Sequence, residues 1–272
     1  MITDVHHAGI AVRSLEAALA FFHGALGLPV AKRSEVPDEG ARVALLAVGG
    51  SFVEVIQPDS DISPFASHIA QHGEGLHHLA LRSSRVDDDL SRLRDLGVPL
   101  IEREPRPSVT GRRAYLSPAA FEGALVEIVE PQADLDSNVV PGAIIRIDHV
   151  VLHMPDVVEA GHRFLEWFDL PIKRRMERGS RSFAFLRPGD VVIEVVGPVG
   201  AGSPGTGRVA GVAFEVRGID RLVALLQDRG YPVGKPHPAI QGGRIASVHP
   251  SGCFGVPVAF IDFTGGPGQP SR

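Results

Sequence analysis

Two histidine pairs are the first groups in this chain that could do chemistry: "DVHHAGIAV" at 4–12 and "GEGLHHLAL" at 73–81. Each sits in a run with strand character, and neighbouring side chains on a strand point to opposite faces. Only one histidine of each pair can therefore serve a given site. Two carboxylates share this setting, Glu54 in "SFVEVIQP" and Glu127 in "LVEIVEP". A carboxylate inside an apolar strand is costly unless it is paired or holds a metal. His78 follows His7 by 71 residues, and Glu127 follows Glu54 by 73. Two imidazoles and two carboxylates thus occupy matched positions in two copies of one pattern, and a local twofold would let them converge. That set suits one borderline divalent ion, such as Zn, Co, Ni, Mn or Fe. His6 and His77 face the other way and are expected to be structural or surface residues.

The elements that must position these groups are legible as a repeat. A short phrase recurs as "GLPV" at 27–30, "GVPL" at 97–100, "DLPI" at 169–172 and "GYPV" at 230–233. Each follows an amphipathic helical stretch: "SLEAALAFFHGAL", "VDDDLSRLRDL", "VVEAGHRFLEWF" and "IDRLVALLQDR". Glycine after the last apolar position stops a helix, and the next proline fits strand entry. With the apolar runs on either side, the unit reads as a strand, a helix and about three strands. It is used four times.

The copies pair. "HAGIAVRSLEAALAFFHGALGLPV" aligns without gaps to "HVVLHMPDVVEAGHRFLEWFDLPI", 142 residues later. Residues 1–132 and 145–265 are expected to form two related domains, with 131–143 as linker. In the second, His149 and Glu194 fall on the first two ligand positions, but Gly211 and Ala259 hold the others. A complete site of this kind cannot form there. Its expected role is structural, standing in for a partner subunit; the narrower reading is a residual pocket for part of a substrate.

Composition narrows the function. A formal charge of −5 shows no basic excess, which argues against nucleic acid. The single cysteine, Cys253, rules out a disulfide framework or a CxxC zinc site within one chain, and is expected to be buried. The start "MITDVHHAGIAV" lacks the basic segment and apolar core of a signal peptide, and no apolar run approaches the ~20 residues of a membrane helix. A cytoplasmic protein without a membrane partner is expected. "GPVGAGSPGTGR" (197–208) lacks the GK[ST] ending of a phosphate loop and reads as a flexible connection. The tail 265–272 reads as a disordered end.

The first half resembles the methylmalonyl-CoA epimerase family of the vicinal oxygen chelate (glyoxalase/bleomycin resistance/dioxygenase) superfamily. The matching phrases are "VHHAGIAV", "RVALLAVGGSFVEVIQP", "SPFASHIAQHGEGLHHLAL", "LRDLGVPLIEREPRP" and "GALVEIVEP". The resemblance implies an α+β fold of four βαβββ modules paired into two tandem domains. It places one divalent metal on His7, Glu54, His78 and Glu127, the set that the repeat had already selected. It also implies an epimerase or isomerase that abstracts an α-proton through a metal-stabilised enolate, acting on a methylmalonyl-CoA-like acyl thioester. The base maps to Glu39 in "EVPDEGARVAL", with Asp38 as alternative because this loop is one residue shorter than the family's. The second acid/base maps to Glu127.

One departure concerns the substrate. The family carries "HPKS" or similar in its last hairpin; here "LSPAAFEGAL" (116–125) replaces it. Arg112 and Arg113 in "TGRRAYL" remain as cations for a substrate carboxylate or phosphate. A ring-cleaving dioxygenase, which uses two histidines and one carboxylate, is disfavoured by a fourth ligand at Glu54. Glyoxalase-type isomerisation, epimerisation of a sugar-like ketone, and non-catalytic binding or resistance stay open as alternatives. The expected partner is a small molecule such as an acyl-CoA, bound by a monomer or homodimer.

Overall fold

A computed structural model describes residues 1–132 and 143–264. The first module runs β1 (Ile2–Ala11), α1 (Leu15–Leu19), β2 (Val30–Val36), β3 (Ala41–Val48) and β4 (Ser51–Pro58). Ser14 caps α1 by accepting from the Ala17 amide at 3.2 Å. The helix then widens into a π-helical turn over Ala20–Ala25, marked by the Leu26 amide bonding the Phe21 carbonyl. In that wider turn the consecutive Phe21 and Phe22 are both buried. Gly27, at φ 77°, ends it, as the glycine in the repeated phrase predicts.

A helix outside the repeat, α2 (Pro64–His72), leads to the second module: β5 (Gly75–Ser83), α3 (Val86–Asp95), β6 (Arg106–Ser108), β7 (Gly111–Tyr115) and β8 (Leu125–Pro131). The third is β9 (Ile144–His153), α4 (Val157–Phe168), β10 (Ile172–Arg178), β11 (Arg181–Leu186) and β12 (Val192–Pro198). The fourth is β13 (Arg208–Val216), α5 (Ile219–Asp228), β14 (His237–Pro238), β15 (Arg244–Val248) and β16 (Val258–Asp262). Asp156 caps α4 through the Val158 and Glu159 amides, and Asp262 accepts from Gly218 and Ile219 at the start of α5.

Two eight-stranded mixed sheets result, ordered β2-β3-β4-β1-β5-β8-β7-β6 and β10-β11-β12-β9-β13-β16-β15-β14. Where the ladders are defined, a module's first strand runs parallel to its last and the other pairs are antiparallel. The four-module α+β fold is therefore as the sequence predicts. Each sheet draws on one half of the chain. The packing units cut across the sheets: residues 1–9, 77–132 and 149–210 form one, and 10–76, 143–148 and 211–264 the other. In the first, Phe121 lies against Phe164, Trp167 and Phe168, with the nearest ring centroids 4.8 Å apart. In the second, Phe21 packs on Tyr231 at 5.0 Å, and Phe214 stacks on Phe260. Burying one such ring stabilises by about 1.5–3 kcal/mol.

Most of the 131–143 linker and the whole 265–272 tail lie outside the described residues. Among the described residues no helix is long and apolar enough to cross a membrane. Cys253 is buried, and burial pushes its thiol up to about 12.

Candidate metal centre

Strand alternation puts His7 and Gly9 on one face of β1, and parallel pairing puts His78 opposite Leu125, two residues before Glu127. The three side chains meet in the interior. His7 Nε2 lies 2.8 Å from His78 Nε2, and Glu127 Oε2 lies 3.2 Å from the first and 3.6 Å from the second. His7, His78 and Glu127 are 1%, 0% and 2% exposed, which removes solvent as a partner. Among the described residues Glu127 Oε2 makes no hydrogen bond. Glu54, 8% exposed on β4 opposite Leu45, is a further buried carboxylate.

Two observations say that this donor set fits a divalent ion. A buried carboxylate oxygen without a hydrogen bond is unusual and calls for a missing partner. Two imidazole nitrogens and a carboxylate oxygen, all directed at one point, are what a borderline cation requires.

The surrounding side chains hold these groups in place. His6 Nδ1 lies 2.8 Å from His7 Nδ1, and His77 Nδ1 lies 3.0 Å from His78 Nδ1. Each ring is nearly perpendicular to its neighbour, at 80° and 89°. His6 and His77, expected to be structural or surface residues, thus touch the imidazoles of His7 and His78. Strand alternation sends neighbouring side chains to opposite faces, yet the rings still meet edge-on. Gly9 is needed for space: a Cβ there would overlap the His78 imidazole. Nothing in the sequence periodicity flags it.

Of the remaining expected site residues, Arg113 is buried and engages two acids. Its Nε lies 3.3 Å from Glu127 Oε1 and its Nη1 2.9 Å from Glu102 Oε1. The guanidinium also sits 4.5 Å over the Tyr115 ring. Glu102 receives the Tyr115 amide at 2.7 Å, and burial raises its carboxyl, with that amide and Arg106 acting in the opposite sense. Sequence reasoning missed Glu102, which lies in the irregular stretch after α3. Arg112 forms a two-pronged ion pair with Asp87 on the surface. Glu39 ends the short turn Pro37–Glu39, half-buried, its carbonyl accepting from the Ser63 hydroxyl at 2.7 Å, while Asp38 is exposed.

A family profile for the glyoxalase/bleomycin resistance protein/dioxygenase superfamily matches residues 6–116 and again 148–247. The chain belongs to this superfamily. Its tandem arrangement has a counterpart in a variant of 4-hydroxymandelate synthase from Streptomyces coelicolor, with a TM-score of 0.74 over 98% of this chain and 94% of that one. At 19% identity that likeness concerns the fold alone. The ethylmalonyl-CoA/methylmalonyl-CoA epimerase of Cereibacter sphaeroides is 30% identical over 131 residues, 47% of this chain and 98% of its own length. An uncharacterized Bacillus subtilis protein, YqjC, is 36% identical over 129 residues, 47% of this chain and 92% of its own.

Within this superfamily fold the second half keeps the register but only two of the four candidate ligands. His149 pairs with Val192 on β12, two residues before Glu194, as His78 pairs with Leu125 before Glu127. The imidazole and carboxylate remain, 3.6 Å apart. On β13 and β16, Val212 pairs with Val258, so Gly211 and Ala259 occupy the other two places. Offset by 142 residues, Val151 stands where the first half has Gly9. The positions that hold Gly9 and His78 in one half thus hold Val151 and Gly211 in the other.

Proposed function

We propose that this chain is a metal-dependent epimerase or isomerase acting at the α-carbon of a chelating acid, with a methylmalonyl-CoA-like acyl thioester as the first candidate. The observation that carries this reading is the buried His7–His78–Glu127 cluster. His7, Glu54, His78 and Glu127 would hold the ion. When bound, the ion supplies Lewis-acid stabilisation of charge growing on the substrate oxygens as the α-proton leaves. The chain's residues do the rest. Glu39 removes a proton on one side and Glu127 exchanges one on the other, since epimerisation needs an acid and a base on opposite faces. Arg113 and Glu102 fix Glu127 Oε1, so that Oε2 stays directed at the two imidazoles. The 30% identity to an acyl-CoA epimerase over one half of the chain supports the substrate class.

The test is deuterium wash-in from solvent at the α-carbon, followed by proton NMR, on methylmalonyl-CoA and on a hemithioacetal. Glu39→Gln is expected to retain the metal and slow exchange by roughly 10²–10⁴-fold. Exchange confined to the hemithioacetal would move the reading to a glyoxalase-type isomerase. Bound metal without exchange in either substrate would favour a binding protein. Unchanged turnover in Glu39→Gln would transfer the base role to Asp38 or another residue.

A further inference from the structure

One face of the β9–β12 sheet segment is built in rows that the register fixes. Arg178, Arg181 and Pro198 form the outer row; Met176, Phe183, Val196 and His153 form the next. A third row follows with Arg174, Phe185, Glu194 and Val151. Cations thus gather at the open end of a face whose middle is apolar. A cleft of about 400 Å³ occupies that end, a volume within the range of small-molecule sites. Arg181, His153 and the hydroxyl-bearing Ser180 and Ser203 line it, together with Pro155, Val196 and Pro198. Among the described residues that line it, none is acidic.

The glycine-rich stretch 197–208 forms one wall, and it is tied down rather than free. Its Val199, Gly202 and Gly207 amides donate to the carbonyls of Ser180, Pro155 and Glu122 at 2.9, 2.6 and 2.8 Å. Its glycines serve close packing: a Cβ at Gly197 or Gly207 would overlap the carbonyls of Met154 or Phe121. Beside the wall, Arg208 Nη1 donates to His153 Nδ1 at 3.5 Å, and the imidazole also hydrogen-bonds the Thr206 backbone. Burial and the nearby Arg208 lower the His153 imidazole below its ordinary value, Arg181 acting in the same sense. The neutral ring can then accept from Arg208 and hold it. Among the described residues, neither Arg181 nor Arg208 is in an ion pair with a carboxylate. One guanidinium on the cleft wall and a second bonded to a lining imidazole, neither paired with an acid and both near hydroxyls and apolar carbon, suit an anion with an organic body.

We infer that this cleft binds a small organic phosphate, its phosphoryl group between Arg181 and Arg208 and its carbon part against Pro155, Val196 and Pro198. Arginine forks match phosphate oxygens in two-pronged fashion, and hydroxyls complete the shell. The inference is independent of the metal centre, which uses none of these residues.

Calorimetric titration of the whole protein with phenyl phosphate, inorganic phosphate and phenol tests it. Phenyl phosphate should bind, inorganic phosphate should compete for the same site, and phenol should not bind measurably. Arg181→Ala and Arg208→Ala should each weaken phenyl phosphate roughly ten- to a hundredfold, the scale of a charged hydrogen bond. Both side chains are exposed, so the fold should survive their loss. His78→Ala should leave the affinity unchanged. Loss of binding in His78→Ala alone would assign the phosphate to the metal and overturn the inference. So would equal affinity in both arginine variants, or no binding up to about 10 mM.

Discussion

The Nδ1 atoms of His77 and His78 lie 3.0 Å apart, although the two residues are neighbours on β5 and leave it on opposite faces. His6 and His7 repeat the relationship on β1 at 2.8 Å. A ligand imidazole that offers Nε2 to an ion carries its proton on Nδ1, and the group receiving that proton sets the ring's tautomer and orientation. His77 and His6 are therefore expected to act on the metal through the ligands rather than by touching it. His78→Ala should abolish high-affinity binding. His77→Ala should weaken it by about 10–100-fold, the range for loss of an orienting partner. Chelator-competition titration reads both; equal losses would make His77 a ligand, and no loss would make its contact incidental.

Gly9 gives a sharper test of preorganisation. Glycine in a strand interior ordinarily weakens it by roughly 0.5–1 kcal/mol relative to alanine, so Gly9→Ala should stabilise β1 if nothing lay above it. A Cβ there meets the His78 ring instead. The variant is expected to lose about 1–3 kcal/mol to overpacking and at least about tenfold in metal affinity as the imidazole is displaced. Denaturant unfolding and metal titration on one preparation measure both. A more stable variant with intact affinity would refute the packing argument.

Much of the architecture is local and therefore legible. The helix period, the glycine stop and the following proline are written within each module, and they recur. The candidate ligand positions are legible because the spacing of His7 and Glu54 is nearly repeated by His78 and Glu127. What is not legible depends on contacts without period. Glu102 lies in an irregular stretch, yet it holds Arg113 behind the site. The ring-edge contacts of His6 and His77 depend on rotamers, which strand alternation does not fix. Nor does any local pattern say that Phe121 of the second module packs on Phe164 of the third. Four modules with similar apolar faces leave that choice to tertiary packing.

Asp262 predicts a pH dependence of stability. Burial acts to raise its carboxyl, but hydrogen bonds from the Thr264 hydroxyl and the Ile219, Thr264 and Gly218 amides outweigh it and hold it below its ordinary 3.8. A carboxyl lowered on folding contributes stability above its unfolded value, and that contribution is lost as pH falls through the folded value. Asp262→Asn keeps an acceptor but loses the charge, and should therefore cost about 1 kcal/mol near neutrality, the difference between a charged and a neutral hydrogen bond. The gap between variant and parent should close in acid below 3.8. Urea unfolding across that range tests it; a constant gap would show that the charge plays no part.

Arg113 makes the last prediction, because it lies between two carboxylates in the interior. With side chains 6% exposed for Arg113, 12% for Glu102 and 3% for Glu127, none of the three can turn to bulk water. Removing one partner of a buried pair leaves an uncompensated charge, which costs about 3–5 kcal/mol. Arg113→Met keeps much of the volume over Tyr115 and should show that loss in the metal-free protein. Adding Glu102→Gln removes one of the two stranded charges, so the double variant should recover part of it. A divalent ion should narrow the deficit further, since a cation near Glu127 replaces some of the charge that Arg113 supplied. Thermal unfolding of the single and double variants, each with and without metal, reads all four states. Recovery by neither the second substitution nor the ion would mean that Arg113 supports the fold through its packing on Tyr115, not as the counter-charge that holds Glu127.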